Sequence, residues 1–275
     1  NVASVAPLTN VVVLRRVGDE GRTIARSLEG IELADADRED LERYIDVTRG
    51  ELFFSKGVIL VEGDAERFLL PTLVKLHDKS IDFDAMGISV CSIAGTNFAP
   101  YVKLLGPRGL DLPFVVLTDY DPKTAEVSQE DDDPAAAGVT DSYGENRVVN
   151  HIMEHVLSEA LWEKSSFSDV LALAPKYGVF LNKFTFEVDV FKAGAEVQFS
   201  KAVEALTTNK AMHKRFGALA ADPASLDAKP FLKDIDSIGK GRVAQRLAAA
   251  LLADGVDACP PYIRKALRYL RGKLE

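Results

Sequence analysis

Apolar positions along the chain follow two rhythms. Between residues 56 and 119, short continuous apolar runs alternate with stretches whose apolar residues recur every three or four positions: "GVILVE", "ERFLLPTLVKLHD", "GISVCSIAG", "NFAPYVKLLG" and "PFVVLTD". Short runs bounded by turn residues suit buried strands, and the 3.6-residue period suits helices with one apolar face. Strand, helix, strand, helix, strand at this spacing predicts a parallel sheet with right-handed crossovers, because parallel neighbours need a connection long enough to hold a helix. The centre of the chain therefore reads as α/β.

The flanks carry weaker patterns. Residues 8 to 16 read as a short strand, and 37 to 54 as a helix with Asp37 available as its cap and Leu41, Tyr44 and Ile45 at helical spacing. Downstream, 145 to 163 reads as one long helix, and "GVFLNKFTFEVDVF" (178 to 191) returns to the alternation of a late strand. From Ala195 onward the pattern is helical, with breaks at Asp222-Pro223, at Gly239 to Gly241 and at Cys259-Pro260-Pro261. Residues 122 to 142 hold almost no large apolar side chains and carry the acidic run Glu130 to Asp133, the signature of a solvated loop to which no chemistry is assigned.

Composition narrows the classes. An apolar content of 47% over 275 residues can build a sizeable core. A net charge of −9 excludes a protein that coats nucleic acid electrostatically, so any DNA contact has to be local or metal-mediated. The two cysteines, Cys91 and Cys259, form no CxxC and no disulfide framework, which points to a reducing, cytoplasmic setting. No apolar run approaches the length of a membrane span, and the first residues lack the pattern of a signal peptide. The chain starts at Asn1 rather than Met, in mid-pattern, and is expected to be part of something longer.

Chemistry gathers at strand ends. In parallel α/β sheets the carboxyl edges of the strands are where loops converge and helix N-termini point, so polar residues there face a shared crevice. Glu62 ends the first central strand, and Glu66 lies one helical turn further along the same face. Asp64, between them, is placed to cap the helix. The third strand ends in Asp119, with Asp121 just beyond in "DYD". Four carboxylates in one crevice repel each other unless divalent cations join them, and an all-oxygen set suits Mg²⁺ or Mn²⁺.

"VEGDAE" followed some fifty residues later by "LTDYD" resembles the Toprim fold of topoisomerases, primases, recombination proteins and OLD-family nucleases. The fit is closest to the OLD (overcoming lysogenization defect) family, through the lead-in helix, Glu66, the later "TFE" and a downstream lysine, over roughly residues 37 to 250. The resemblance implies that Glu62, Glu66, Asp119 and Asp121 hold two Mg²⁺ or Mn²⁺ ions, that Thr185 and Glu187 add ligands, and that Lys240 in "SIGKGRVAQRLA" is the catalytic lysine alongside Glu62 and Asp119. A glycine-flanked lysine opening a helix also suits phosphate contact on physical grounds alone.

The organisation expected is a lead-in strand and helix over 1–55, a Toprim catalytic domain over 56–190 with a loop and helical insertion at about 122–177, and a mostly helical domain over 191–275 carrying Lys240. The activity implied is metal-dependent endonucleolytic cleavage or nicking of DNA. Alternatives are a topoisomerase- or primase-like Toprim module, or a non-catalytic repair or recombination scaffold. Partners implied are DNA, a preceding ATPase domain of the same polypeptide and a second copy of the chain, with no membrane. ATP enters only through that other domain, since no G-x-x-x-x-G-K-[ST] occurs here. Arg242 and Arg246 near Lys240, and Arg264 and Arg268 on the terminal helix, are the candidate DNA-backbone contacts. "HIMEH" (151 to 155) matches an inverted zinc-protease motif, but no third ligand follows at a recognisable spacing, so no zinc is assigned.

Overall fold

The computed structural model describes residues 7–17, 21–31, 33–45, 50–123 and 140–274. Its centre is a four-stranded parallel sheet in the order β4-β3-β5-β6. These strands are β3 (Gly57–Val61), β4 (Ile88–Ser92), β5 (Phe114–Thr118) and β6 (Val179–Leu181). β3 is buried at every position because successive side chains enter two different cores. Ile59 and Val61 join Val115 and Leu117 on one face, while Val58 and Leu60 join Cys91 and Val116 on the other. Each such side chain contributes roughly 1.5–3 kcal/mol by leaving water.

Helices cover both faces. α2 (Asp64–His77) follows β3 and buries Leu69, Leu70, Leu73 and Val74 on the first face; α4 (Ala99–Leu105) follows β4 and buries Tyr101, Val102, Leu104 and Leu105 on the second. α2 runs through Pro71, whose ring costs a helix interior about 3 kcal/mol. The buried leucines on either side of it offset that cost. The chain leaves β3 toward β4 on one side and returns to β5 on the other, so the strand order reverses between β3 and β5. In open α/β sheets the crevice at such a reversal, outside the carboxyl ends of the strands, is where ligands sit.

The expected helices after residue 195 are present as α9 (Glu196–Leu206), α10 (Lys210–Ala221), α11 (Ala228–Ile238), α12 (Lys240–Asp254) and α13 (Pro261–Leu274), interrupted at the three places the breakers mark and at a fourth, unforeseen break where Asn209 caps α10. They share one apolar cluster with the α2 face of the sheet, centred on Phe191, Phe199, Phe216 and Phe231 with ring centroids 5.2–5.8 Å apart. None of the helices among the described residues is long and apolar enough to cross a membrane.

Four local expectations change. The first strand is β1 (Val12–Val17), preceded by a turn at Leu8–Asn10, and it pairs antiparallel with an unforeseen β2 (Arg22–Ser27). The lead-in helix is shorter, α1 (Asp35–Tyr44), with Asp37 inside its first turn instead of capping it, and a separate turn at Gly50–Phe54. The long helix at 145 to 163 is broken into α5 (Tyr143–Asn146), a π-helical stretch Arg147–Ile152, a 3₁₀ turn Met153–His155 and α6 (Glu159–Trp162). The late strand ends at Leu181, and "FEVDV" is α8 (Phe186–Val190). The Asp189 amide donates to Thr185 O at 2.9 Å to close the first helical turn, and Asp189 Oδ2 accepts from the Lys183 amide at 3.0 Å just before it, which favours the helix over the strand that the β-branched residues suggest. Residues 124–139, with the acidic run Glu130 to Asp133, lie outside the described residues.

Candidate metal centre

Glu62 follows the last residue of β3, and its Oε1 is heavily committed. It accepts from Thr118 Oγ1 at 2.5 Å, from the Asp119 amide at 2.8 Å and from Arg147 Nη1 at 2.8 Å. These bonds tie the ends of β3 and β5 together across the strand-order reversal. Burial pushes the Glu62 carboxyl above its ordinary value, against the pull of Arg147 and the bonds from Thr118 and Asp119.

Asp119 is buried beside it, with Oδ1 accepting from Asn182 Nδ2 at 2.5 Å. Burial, reinforced by Glu62, Glu66, Glu187 and Asp121, holds its carboxyl well above the ordinary carboxylate range. Asp121 sits in the left-handed region at φ 48°, a conformation aspartate tolerates better than most residues. Its amide donates to Phe184 O at 3.0 Å and its carbonyl accepts from the Tyr143 amide at 3.0 Å, so the "DYD" turn is clamped between α5 and the loop before α8. Gly144 makes that clamp possible, since a Cβ there would stand 1.9 Å from Asp119 O.

The helical side supplies the remaining acids. Glu66 is buried in the first turn of α2, where burial and then the facing Glu187 push its carboxyl up to about 8. Thr185 and Glu187 arrive from the N-terminal cap position and first turn of α8 instead of from a strand, and both are buried. Thr185 Oγ1 and Glu187 Oε2 are buried with no hydrogen-bond partner. Lys240 opens α12 immediately after Gly239, whose φ of 102° only glycine adopts freely. Its Nζ lies 3.5 Å from Glu187 Oε1 and 3.9 Å from Asp236 Oδ1. Burial pulls the Lys240 ammonium down, but Glu187, Asp236, Asp119 and Glu66 together raise it, so it stays charged.

The expected acids are thus gathered at one edge, with Asp64 apart from them. Asp64 is exposed at the first position of α2 and caps nothing, since the cap position is Gly63 without a side-chain bond. Among the described residues, no three His, Cys, Asp or Glu side chains are already drawn together into a metal-holding group. The donor set nonetheless fits a hard divalent cation. Every candidate ligand atom is oxygen, two buried oxygens have no partner, and buried acids raise one another's pKa values, which a cation would relieve.

Three residues at the centre of the network carried no sequence signal of their own: Thr118, Asn182 and above all Arg147. Arg147 Nη1 also lies 2.7 Å from Thr118 Oγ1, and its Nη2 lies 3.0 Å from Asp121 Oδ2. An isolated arginine in a segment that reads as one long helix has no motif or spacing to mark it. The π-helical stretch that begins at Arg147 is the structural hint, because such stretches are frequent at functional sites.

From Asp121, Arg147 and Thr185 a cleft of about 1180 Å³ opens between α5, the π-helical stretch and α11, with Lys229, Lys233 and Tyr143 on its walls. His151, Glu154 and His155 of "HIMEH" line it as well, on irregular helix without a third ligand. None of the four arginines proposed for DNA contact lines this cleft. Arg242, Arg246 and Arg268 are exposed, and Arg264 Nε donates to Cys259 O at 2.7 Å, fastening the start of α13.

Comparisons with known proteins give the family and the fold. The family model described as Overcoming lysogenization defect protein-like, TOPRIM domain, matches residues 53–121. The solved C-terminal region of the Burkholderia pseudomallei OLD protein is 38% identical, over 81% of this chain and 100% of that one, with a TM-score of 0.66. The C-terminal region of the Xanthomonas campestris pv. campestris OLD protein is 36% identical, over 82% of this chain and 96% of that one, with a TM-score of 0.64. No curated protein matches the chain. A Toprim domain with its acids at the β3 and β5 edges, and whole-length likeness to two solved relatives, establish the lineage: the chain belongs to the OLD protein family.

Proposed function

We propose that the chain is the catalytic part of a divalent-metal-dependent nuclease that hydrolyses phosphodiester bonds in DNA. The observation that carries this reading is the set of buried carboxylates at the strand-order reversal, with Thr185 Oγ1 and Glu187 Oε2 left unpartnered beside them. Glu62, Glu66, Asp119, Asp121 and Glu187, with Thr185, would hold two Mg²⁺ or Mn²⁺ ions. Bound there, such ions lower the pKa of a water and stabilise the charge that develops on the phosphate and the leaving oxygen. With that task assigned, the carboxylates need no general-base pKa values of their own.

Lys240 brings a permanent positive charge to the same edge, half-exposed and anchored by Glu187. That placement suits contact with a non-bridging phosphate oxygen as negative charge builds. The walls of the cleft guide the strand: Lys229 and Lys233 on α11 face phosphates, and Tyr143 offers a flat ring. Arg242, Arg246 and Arg268 are exposed outside it and are further candidates for phosphate contact. The division into 1–55, 56–190 and 191–275 follows these roles, as lead-in, acid-bearing sheet and lysine-bearing helices. Both solved relatives are C-terminal regions, which supports an ATPase portion of the same polypeptide as the partner through which ATP acts.

Supercoiled plasmid incubated with the protein and Mg²⁺ or Mn²⁺ tests the reading. Nicked and linear forms should accumulate, and Asp119→Ala should reduce them to background. Equal conversion by the wild-type chain and Asp119→Ala would remove the catalytic assignment.

A further inference from the structure

The acids at this edge do not form two equivalent halves. On the strand side, Arg147 is bonded to both Glu62 and Asp121, is mostly buried, and makes four polar contacts within 3.3 Å. Glu62 Oε1 has three donors, from Thr118, Asp119 and Arg147, so only Oε2 remains for an ion. On the helix side, Glu187 has one oxygen 3.5 Å from Lys240 and the other buried without a partner, and Thr185 Oγ1 is equally unpartnered. One half carries its own cation, fixed by two-pronged geometry that a guanidinium suits better than an ammonium. The other has only the half-exposed Lys240, which meets one Glu187 oxygen and leaves the second, and Thr185 Oγ1, without a partner.

We infer that Arg147 is a positioning residue that makes the two ion sites unequal: a tight one built on Glu66, Asp119 and Glu187, and a weak one at Glu62 and Asp121 that an ion must share with the guanidinium. The inference rests on the metal-dependent reading above. Its physical basis is simple. A guanidinium bonded to two carboxylates cancels much of their attraction for a divalent ion and repels that ion across a few ångströms of poorly screened interior. It also ties ion binding to the insertion after β5, because Arg147 starts the π-helical stretch that follows α5, and α5 is clamped to the "DYD" turn through Ser142, Tyr143 and Gly144.

The test is a Mn²⁺ titration followed by calorimetry and by the electron paramagnetic resonance of free Mn²⁺, without DNA, so that no readout depends on turnover. The wild-type chain should show one tight and one weaker class. Arg147→Met, which keeps the bulk and removes the charge, should tighten the weaker class by about tenfold or more and leave the tight class unchanged. Arg147→Lys, which keeps the charge, should leave the weaker class weak. Glu187→Gln should weaken the tight class selectively, a change that a merely structural role for Arg147 would not predict. Two equal classes in the wild-type chain would overturn the inference, as would an unchanged weaker class in an Arg147→Met protein whose circular dichroism is native. A wild-type chain that binds no Mn²⁺ at all would overturn the metal-dependent reading itself, and this inference with it.

Discussion

Glu62 and Asp121 stand at the ends of two strands and share a guanidinium, whereas Glu66 and Glu187 stand in the first turns of two helices, where only Glu187 has a cation in reach, the Lys240 ammonium 3.5 Å away. The strand half is rigid because its bonds cross between β3 and β5, the two best-buried strands. The helix half owes its arrangement to the packing of α12 on α2 and of α8 on α11, with an aromatic cluster beneath, and keeps its acids buried with little internal compensation. The protein thus neutralises charge with its own side chains on one side and leaves the other for something to bind. Rigidity and unmet charge are separated in space, and each can be disturbed without the other.

The largest expected effect falls on the lysine of the helix half. Lys240→Ala should lower plasmid nicking by about a hundredfold or more, the range measured when one preorganised donor to a developing oxyanion is removed. Mn²⁺ binding should not weaken and should tighten in the tight class, since the Lys240 ammonium stands 3.5 Å from Glu187 Oε1 and opposes an ion there. Lys240→Arg should recover part of the activity. A Lys240→Ala protein that nicks at the wild-type rate would leave the helix half with a metal-holding role alone.

The second effect is a pH dependence of stability to which Glu66 contributes together with the raised Asp119 and Glu62, measured by urea unfolding with chelator present. The Glu66 carboxyl is raised from 4.5 to about 8 in the folded chain, by burial first and Glu187 second. The folded state therefore binds this proton more tightly than the unfolded state. Stability from this group is full below about pH 4.5, falls as pH rises toward 8, and changes no further above it. The loss is on the order of a few kcal/mol. Glu66→Gln should reduce that slope, and saturating Mn²⁺ should offset it by binding the ionised form. The slope left in Glu66→Gln belongs to Asp119 and Glu62; a slope that is not reduced at all would show that Glu66 is already compensated in the folded chain.

Much of the strand half was legible in the sequence. Continuous apolar runs ending in acids mark strand edges, and two such edges in one parallel sheet predict a shared crevice, so Glu62, Asp119 and Asp121 could be placed before any geometry was known. Lys240 could be singled out only through the family resemblance, since a lysine between glycines at a helix start is by itself most often a surface residue. Arg147 was not legible, because its meaning lies in distances to residues 26 and 85 positions away, and no local pattern encodes those. The helical state of Thr185 and Glu187 was hidden by "TFEVDV", whose β-branched and aromatic content favours a strand until the bond from the Asp189 amide to Thr185 O and the reach-back bond from the Lys183 amide to Asp189 favour a helical turn instead.

The smallest effect sharpens the comparison most finely, because it concerns the acid between Glu62 and Glu66. Asp64 shares their sequence neighbourhood but neither half's environment: it is exposed, caps nothing, and sits at the first position of α2 with its Cβ beside Gly241 of α12. Its remaining role is to face the positive end of α2, a placement that contributes about 0.3–1 kcal/mol at a solvated surface. Asp64→Ala should therefore lower stability by no more than that, and raising the salt concentration should shrink the difference further. Mn²⁺ binding and nicking should match the wild-type chain, while Glu66→Ala, two residues on, should weaken the tight ion class. If Asp64→Ala instead reduced Mn²⁺ affinity by tenfold, the boundary of the helix half would have to move outward to include α2's exposed first turn. The line between buried ligand and solvated neighbour is thus set by a rotation of two residues along one helix, with Glu66 turned into the crevice and Asp64 turned out.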